Sequence, residues 1–191
     1  MPSPANSDPL DIALLVARAL EAVGAEYFVG GSVASSLQGD PRSTNDIDFV
    51  ISLPLGRVAA LCTELGSDFE IDPEQLRDAV RRASSANAFY LPHITKIDFF
   101  GRGYEPYDEA EFSRRLRRQV RTSGETLIIK APEDTVLRKL LWYRAGGEVS
   151  DKQWRDIVSV LRVSRDQIDR AYLETWAARL GIAALLERAT A

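Results

Sequence analysis

The sequence has 191 residues, 45% hydrophobic and 27% charged. That balance fits one globular domain, or a domain with a small appendage, and excludes fibrous, disordered and low-complexity chains. Lys plus Arg number 24 against 28 Asp plus Glu, a net charge of −4, which argues against polyanion binding by the whole surface and leaves only a local basic patch open. With one cysteine, Cys62, and one histidine, His93, an internal disulfide and a zinc site of several His and Cys ligands are both ruled out. Metal chemistry must then use carboxylates. The apolar stretch 12–17 is interrupted by Arg18 and is too short to span a bilayer. It also lacks signal-peptide features, so the expected location is the cytoplasm and no membrane partner is expected.

After a Pro/Ser-rich lead, Asp8-Pro9 reads as a helix cap with proline in the first turn, and Ile12, Leu15, Val16, Ala19, Leu20 and Val23 form an apolar face that Gly24 ends. A short strand over 26–29 runs into Gly30-Gly31-Ser32 and a small-residue helix over 33–37. Turn formers fill 39–45. The alternating segment Asp46-Ile47-Asp48-Phe49-Val50-Ile51 follows as a strand, then a helix over 57–65. Further strands are expected at 69–71, 87–91, 94–100 and 126–130, with a polar helix at 73–83, a Gly-Arg-Gly-Tyr turn at 101–104 and an acidic then basic amphipathic stretch over 107–118.

After Pro132 the pattern is helical throughout: 132–145, 150–162, 164–180 and 182–189, with Gly146-Gly147 and Gly181 as punctuation. Ser150 with Gln153 and Ser164 with Gln167 read as capping boxes. The expected architecture is an α/β sheet domain over 1–131 and a C-terminal helical cap over 132–191.

On a strand, Asp46 and Asp48 project from one face while Ile47, Phe49 and Ile51 point to the other. Two such carboxylates are a site for a hard divalent cation such as magnesium, or solvated and salt-bridged surface acids. Asp98 lies in Lys96-Ile97-Asp98-Phe99-Phe100, an otherwise apolar strand where an acid needs a partner. Either Lys96 on the same face neutralises it, or it stands beside Asp46 and Asp48 and completes a metal site. Gly30-Gly31-Ser32 ahead of a helix is a turn whose amides and dipole can receive phosphate oxygens. Arg114, Arg115, Arg117, Arg118 and Arg121 form the one basic concentration, which reads either as a solvated helix end or as a nucleic-acid backbone contact. A serine-hydrolase elbow and a P-loop are both missing, and Cys62 reads as a core thiol.

Gly31-Ser32, then Asp46-Ile47-Asp48, then Asp98 on a later strand resembles the nucleotidyltransferase superfamily typified by DNA polymerase β. That resemblance implies a mixed sheet, a Gly-Ser turn gripping a nucleoside triphosphate, and three carboxylates holding two Mg²⁺ ions. It implies phosphate contact by Gly30, Gly31 and Ser32, and metal binding by Asp46, Asp48 and Asp98, with Asp98 also helping to deprotonate the acceptor. Arg42 is an extra phosphate ligand or a surface charge.

The C-terminal run Leu137-Arg138-Lys139-Leu140, followed by Lys152 and Asp156 one turn apart, resembles the bacterial AbiEii/MenT-type nucleotidyltransferases. This second resemblance implies that Lys139, Lys152 and Asp156 serve nucleotide binding. The structural alternative is an i,i+4 pair between Lys152 and Asp156 beside a buried stripe of Trp154, Ile157, Val158 and Leu161. A further Lys-Glu motif of the toxin relatives is not found, which leaves an antitoxin partner unsupported. The implied activity is transfer of a nucleoside monophosphate from an NTP, ATP among them, to an acceptor hydroxyl on tRNA, protein or a small molecule. A non-catalytic nucleotide- or partner-binding module with the same fold is the alternative.

Overall fold

A computed structural model describes residues 8–44 and 46–191; the Pro/Ser-rich lead and Asn45 lie outside the described residues. Residues up to Val33 together with Ser43–Ile129 form one compact unit, and Ala34–Arg42 with Lys130–Ala191 a second. The second unit thus draws in residues 34–42, which a single cut after 131 leaves on the other side.

The first unit is built on a seven-stranded mixed sheet. Its strands are β1 (Glu26–Val29), β2 (Asp46–Ser52), β3 (Phe69–Ile71), β4 (Ser85–Tyr90), β5 (Thr95–Gly101), β6 (Leu116–Gln119) and β7 (Thr126–Ile129), in the order β3-β4-β5-β2-β1-β7-β6. β2 runs parallel to β5 and antiparallel to β1, so the acidic strand lies inside the sheet. Alternation does what the sequence requires of it: Ile47, Phe49 and Ile51 are fully buried while Asp46 is exposed and Asp48 half-buried. Ile97 and Phe99 stand opposite Ile47 and Phe49. Phe49 also meets the rings of Tyr27 and Phe99 at centroid separations of 5.8 and 5.9 Å, so the apolar face carries an aromatic row, a favourable arrangement beyond area burial alone.

Helices of this unit that bury apolar residues include α1 (Pro9–Ala22), capped by the Asp8 carboxylate on the Leu10 amide, α3 (Val58–Leu65) and α4 (Pro73–Arg82), capped by Asp72. The intervening α2 (Gly31–Gln38) begins directly after β1. Gly101 closes β5 against α4, where an added Cβ would stand 2.2 Å from the Ala79 carbonyl oxygen. α5 spans Pro106–Ser113, and its Phe112 packs on Phe28 at 5.7 Å.

The amphipathic stretch expected over 107–118 is therefore not one helix. It ends at Ser113, and Leu116–Gln119 pairs antiparallel with β7 as the terminal strand of the sheet. Leu116, Arg117, Arg118 and Gln119 have long side chains suited to an exposed edge, and strand pairing with Thr126–Ile129 overrides helical periodicity there.

The second unit is helical: α6 (Pro132–Ala145), α7 (Asp151–Val163), α8 (Arg170–Arg179) and α9 (Ala183–Thr190), with most of α2. Val136, Leu137, Leu140, Ile157, Val160, Leu173, Ala177 and Leu186 make its core. Ser150 caps α7 by accepting from the Gln153 amide. Ser164 opens only a single 3-10 turn, Arg165–Gln167, with no side-chain cap, rather than the long helix expected over 164–180. It ends α7 and donates its hydroxyl to the Gln38 carbonyl at 2.7 Å, while Asp169 caps α8 by accepting from Tyr172 N. The buried stripe of α7 also differs from expectation: Ile157 and Val160 are buried, Val158 is exposed, and Trp154 is only half-buried against Tyr143 at 5.1 Å with Arg188 over its ring. Among the described residues no helix is long and apolar enough to cross a membrane.

Candidate active site

The candidate site lies in the first unit, where β1 leaves the sheet beside β2 and β5. Parallel register sets Asp46 opposite Lys96 and Asp48 opposite Asp98. Neighbouring strands are about 4.8 Å apart and same-face residues on one strand about 7 Å apart, so these four side chains occupy one small patch on the face away from Ile47 and Phe49. Asp48 and Asp98, read from separate parts of the sequence, are direct cross-strand neighbours.

The glycine turn is joined to this patch. The Gly30 amide donates to the Asp48 carbonyl at 2.8 Å, tying the end of β1 to the acidic strand. Gly31 takes a positive φ of 53°, a region open to glycine at little cost. A Cβ on it would stand 1.7 Å from Asp48 Oδ2. Any other residue at 31 must push the carboxylate aside, so glycine here serves both the backbone turn and the position of Asp48. Ser32 follows in the first turn of α2.

The Lys96 ammonium donates to both oxygens of Asp98, at 2.8 and 2.9 Å. Its hydrogen bond to Asp98, opposed by partial burial and reinforced by the charges of Asp98, Asp46 and Asp48, holds Lys96 above the ordinary lysine range. One ammonium is therefore within electrostatic reach of all three acids. Asp98 is paired with Lys96, as the first sequence alternative has it, and stands opposite Asp48 in the register, which is the placement but not the metal set of the second. Among the described residues no three His, Cys, Asp or Glu side chains are grouped to hold a metal ion as they stand, so the expected set of three converging carboxylates is not closed. The donor chemistry nonetheless fits a hard divalent ion: three acids share one face and one of them already binds a cation.

The second unit holds the other residues singled out from the sequence. Arg42 donates through Nε and Nη2 to the two oxygens of Asp156, at 2.9 and 2.8 Å, and Lys139 donates to Asp156 Oδ2 at 2.8 Å. Lys139 and Asp156 are buried. Burial pushes the Asp156 carboxyl up, but the hydrogen bonds from Arg42 and Lys139 outweigh it and leave the group below the usual carboxylate range. For Lys139 burial dominates, with Arg42 and Lys130 adding repulsion, and its pKa lies below the ordinary lysine value despite the bond to Asp156. Lys152 is exposed and makes no ion pair with Asp156. The expected i,i+4 pair is replaced because a two-point guanidinium contact and a buried ammonium satisfy the carboxylate better than a solvated lysine can. Sequence spacing did not link Arg42 to Asp156, 114 positions away.

Among solved structures, the chain is similar to the antibiotic-resistance factor ANT(2'')-Ia, with TM-score 0.55 and 16% identity over 95% of this chain and 98% of that one. It is similar to an antigenic nucleotidyltransferase-like protein from Paracoccidioides brasiliensis, with TM-score 0.56 and 21% identity over 94% and 90%. It is also similar to the lincosamide antibiotic adenylyltransferase LnuA in lincomycin-bound form, with TM-score 0.51 and 10% identity over 81% and 93%. No protein-family model and no curated protein matches the sequence. The fold is that of the nucleotidyltransferases: a mixed sheet followed by a helical C-terminal part.

Proposed function

We propose that the protein is a magnesium-dependent nucleotidyltransferase that moves a nucleoside monophosphate from an NTP to an acceptor hydroxyl. The observation that carries this reading is the register of Asp48 with Asp98 above a glycine turn in which Gly31 makes room for the Asp48 carboxylate. Asp46, Asp48 and Asp98 would hold the metal. Magnesium bound there would supply neutralisation of phosphate charge and a more acidic acceptor hydroxyl. Gly31 and Ser32 receive the triphosphate on the first turn of α2, while Gly30, expected from the sequence to share this contact, donates its amide to the Asp48 carbonyl and holds the turn in place. The acceptor oxygen attacks the α-phosphorus, the bond to the β-phosphate oxygen breaks, and pyrophosphate leaves while a carboxylate oxygen of Asp98 takes the hydroxyl proton. The chain's contribution is positioning and electrostatics.

Arg42 and Lys139 direct their charge at Asp156, so triphosphate contact is assigned to the glycine turn ahead of them. A small-molecule acceptor is the preferred class, supported by likeness over 95% of the chain to the resistance factor ANT(2'')-Ia and over 81% to the lincosamide adenylyltransferase LnuA. The narrower AbiEii/MenT resemblance rests on sequence residues alone. One observation favours a second reading, a nucleotide-binding module without turnover: Lys96 occupies both oxygens of Asp98.

Calorimetry with Mg²⁺ and each NTP, beside transfer of α-labelled NMP to a panel of hydroxyl acceptors, separates the two. The expected results are Mg²⁺-dependent NTP binding lost in Asp48→Asn, and label transfer by the unaltered protein. Binding unchanged in Asp48→Asn removes the metal assignment; binding without transfer to any acceptor supports the module.

A further inference from the structure

Asp46 and Lys96 face each other across β2 and β5, and Asp48 and Asp98 face each other one pleat along. The result is a four-cornered patch with three carboxylates and one ammonium. Like charges directly opposite each other on a sheet are destabilising, and Asp48 faces Asp98. The side chain of Asp98 is 14% exposed and that of Lys96 38%, so the acid is the more sheltered partner while the lysine reaches it from the solvent side. The ammonium is bound to both oxygens of Asp98, the donor atoms that this acid would offer to a divalent cation.

We propose that Lys96 is the resident counter-cation of the carboxylate patch: a positioning residue that holds Asp98 in the metal-free protein and is displaced from it when a divalent ion binds. The proposal rests on the reading of the patch as a metal site. Its consequence follows from charge. With Lys96 in place an incoming ion meets three carboxylates already offset by one ammonium and must break the Lys96–Asp98 ion pair. Without that ammonium the ion meets one more unit of negative charge and the Lys96–Asp98 pair is no longer there to break. Lys96 therefore sets metal affinity below what three carboxylates alone would give, and it keeps the empty patch from repelling itself apart.

The test uses the full chain and Mn²⁺ alone, titrated by calorimetry and by the spin-resonance signal of free Mn²⁺, on the unaltered protein and on K96Q, K96R and D98N. K96Q is expected to bind Mn²⁺ about tenfold more tightly, within the range of ordinary site-to-site coupling, and to melt at a lower temperature without metal, with the deficit closing at saturating Mn²⁺. K96R keeps the charge and is expected to behave as the unaltered protein. Equal or weaker Mn²⁺ binding by K96Q, with the unaltered protein binding normally, overturns the proposal and leaves the metal site standing. If neither the unaltered protein nor K96Q binds Mn²⁺, the metal-site reading itself fails and this proposal with it.

A direct readout covers the case in which K96Q does not fold. The Lys96 side-chain Cε resonance, assigned by its loss in K96R, is expected to move with Mg²⁺ in step with saturation. A resonance that stays still while Mg²⁺ saturates the site overturns displacement.

Discussion

Gly31 lies directly against the carboxylate of Asp48: a single carbon added to it would sit 1.7 Å from Oδ2. The turn that begins α2 and the acid on β2 are thus one device, with the Gly30 amide on the Asp48 carbonyl fixing the backbone and the missing side chain of Gly31 fixing the carboxylate.

Gly31→Ala tests this device. The positive φ costs an L-residue about 1–2 kcal/mol, and the methyl group must displace Asp48 Oδ2. Thermal melts are expected to show a modest loss of stability, while Mg²⁺-dependent NTP binding falls as far as in Asp48→Asn. Full retention of binding would mean that the carboxylate position does not matter and that the turn is only a turn.

The sheet was legible because its signals are local. Alternation in 46–51 and the apolar neighbours of Asp98 are properties of single strands, and so the acidic face could be read before the strand order was known. The pairing of Asp48 with Asp98 needed register, which depends on how β5 is placed beside β2 and on no residue in either. The edge strand 116–119 is too short to show a period of its own, and pairing with β7 decides its state. The same limit applied to Ser164: its sequence context looks like a cap, but its hydroxyl has a better partner in the Gln38 carbonyl, 126 positions earlier. Long-range polar partners of this kind leave no periodic trace.

Asp156 is expected to govern the stability of the second unit. Asp156→Asn leaves the buried Lys139 ammonium without its anion and halves the Arg42 contact, and breaking a buried pair of this kind costs about 3–5 kcal/mol. Lys152→Ala, on the exposed face of the same helix, is expected to stay within about 0.5 kcal/mol. Because Asp156 is held below its ordinary range, its contribution is present above the unfolded carboxyl value near ~3.9 and is lost as pH falls through the folded value. Urea melts at neutral pH are expected to separate Asp156→Asn widely from the unaltered protein. The gap should narrow as the titration is repeated toward pH 3. A gap independent of pH would mean that the ionised carboxylate is not what holds the unit.

The arginine-rich strand supplies the last prediction. Arg115 pairs with Glu26 and lies 4.3 Å over the Phe112 ring, Arg117 donates to Thr126 Oγ1, and Arg121 pairs with both Asp8 and Asp11. These arginines already have partners within the first unit, which reduces the charge they can offer a phosphate backbone. Arg117 and Arg118 also sit on β6, the terminal strand of the sheet, where charged side chains oppose pairing with another chain's edge. The double variant Arg117→Thr with Arg118→Thr is therefore expected to self-associate at concentrations where the unaltered protein does not, as read by light scattering. Both proteins are expected to show the same weak affinity for single-stranded RNA. If instead the unaltered protein binds RNA with a steep salt dependence, and the double variant flattens the slope of log K against log salt by roughly 1.4, at about 0.7 per lost phosphate contact, then the strand is a phosphate track and RNA returns as the acceptor to be tested first.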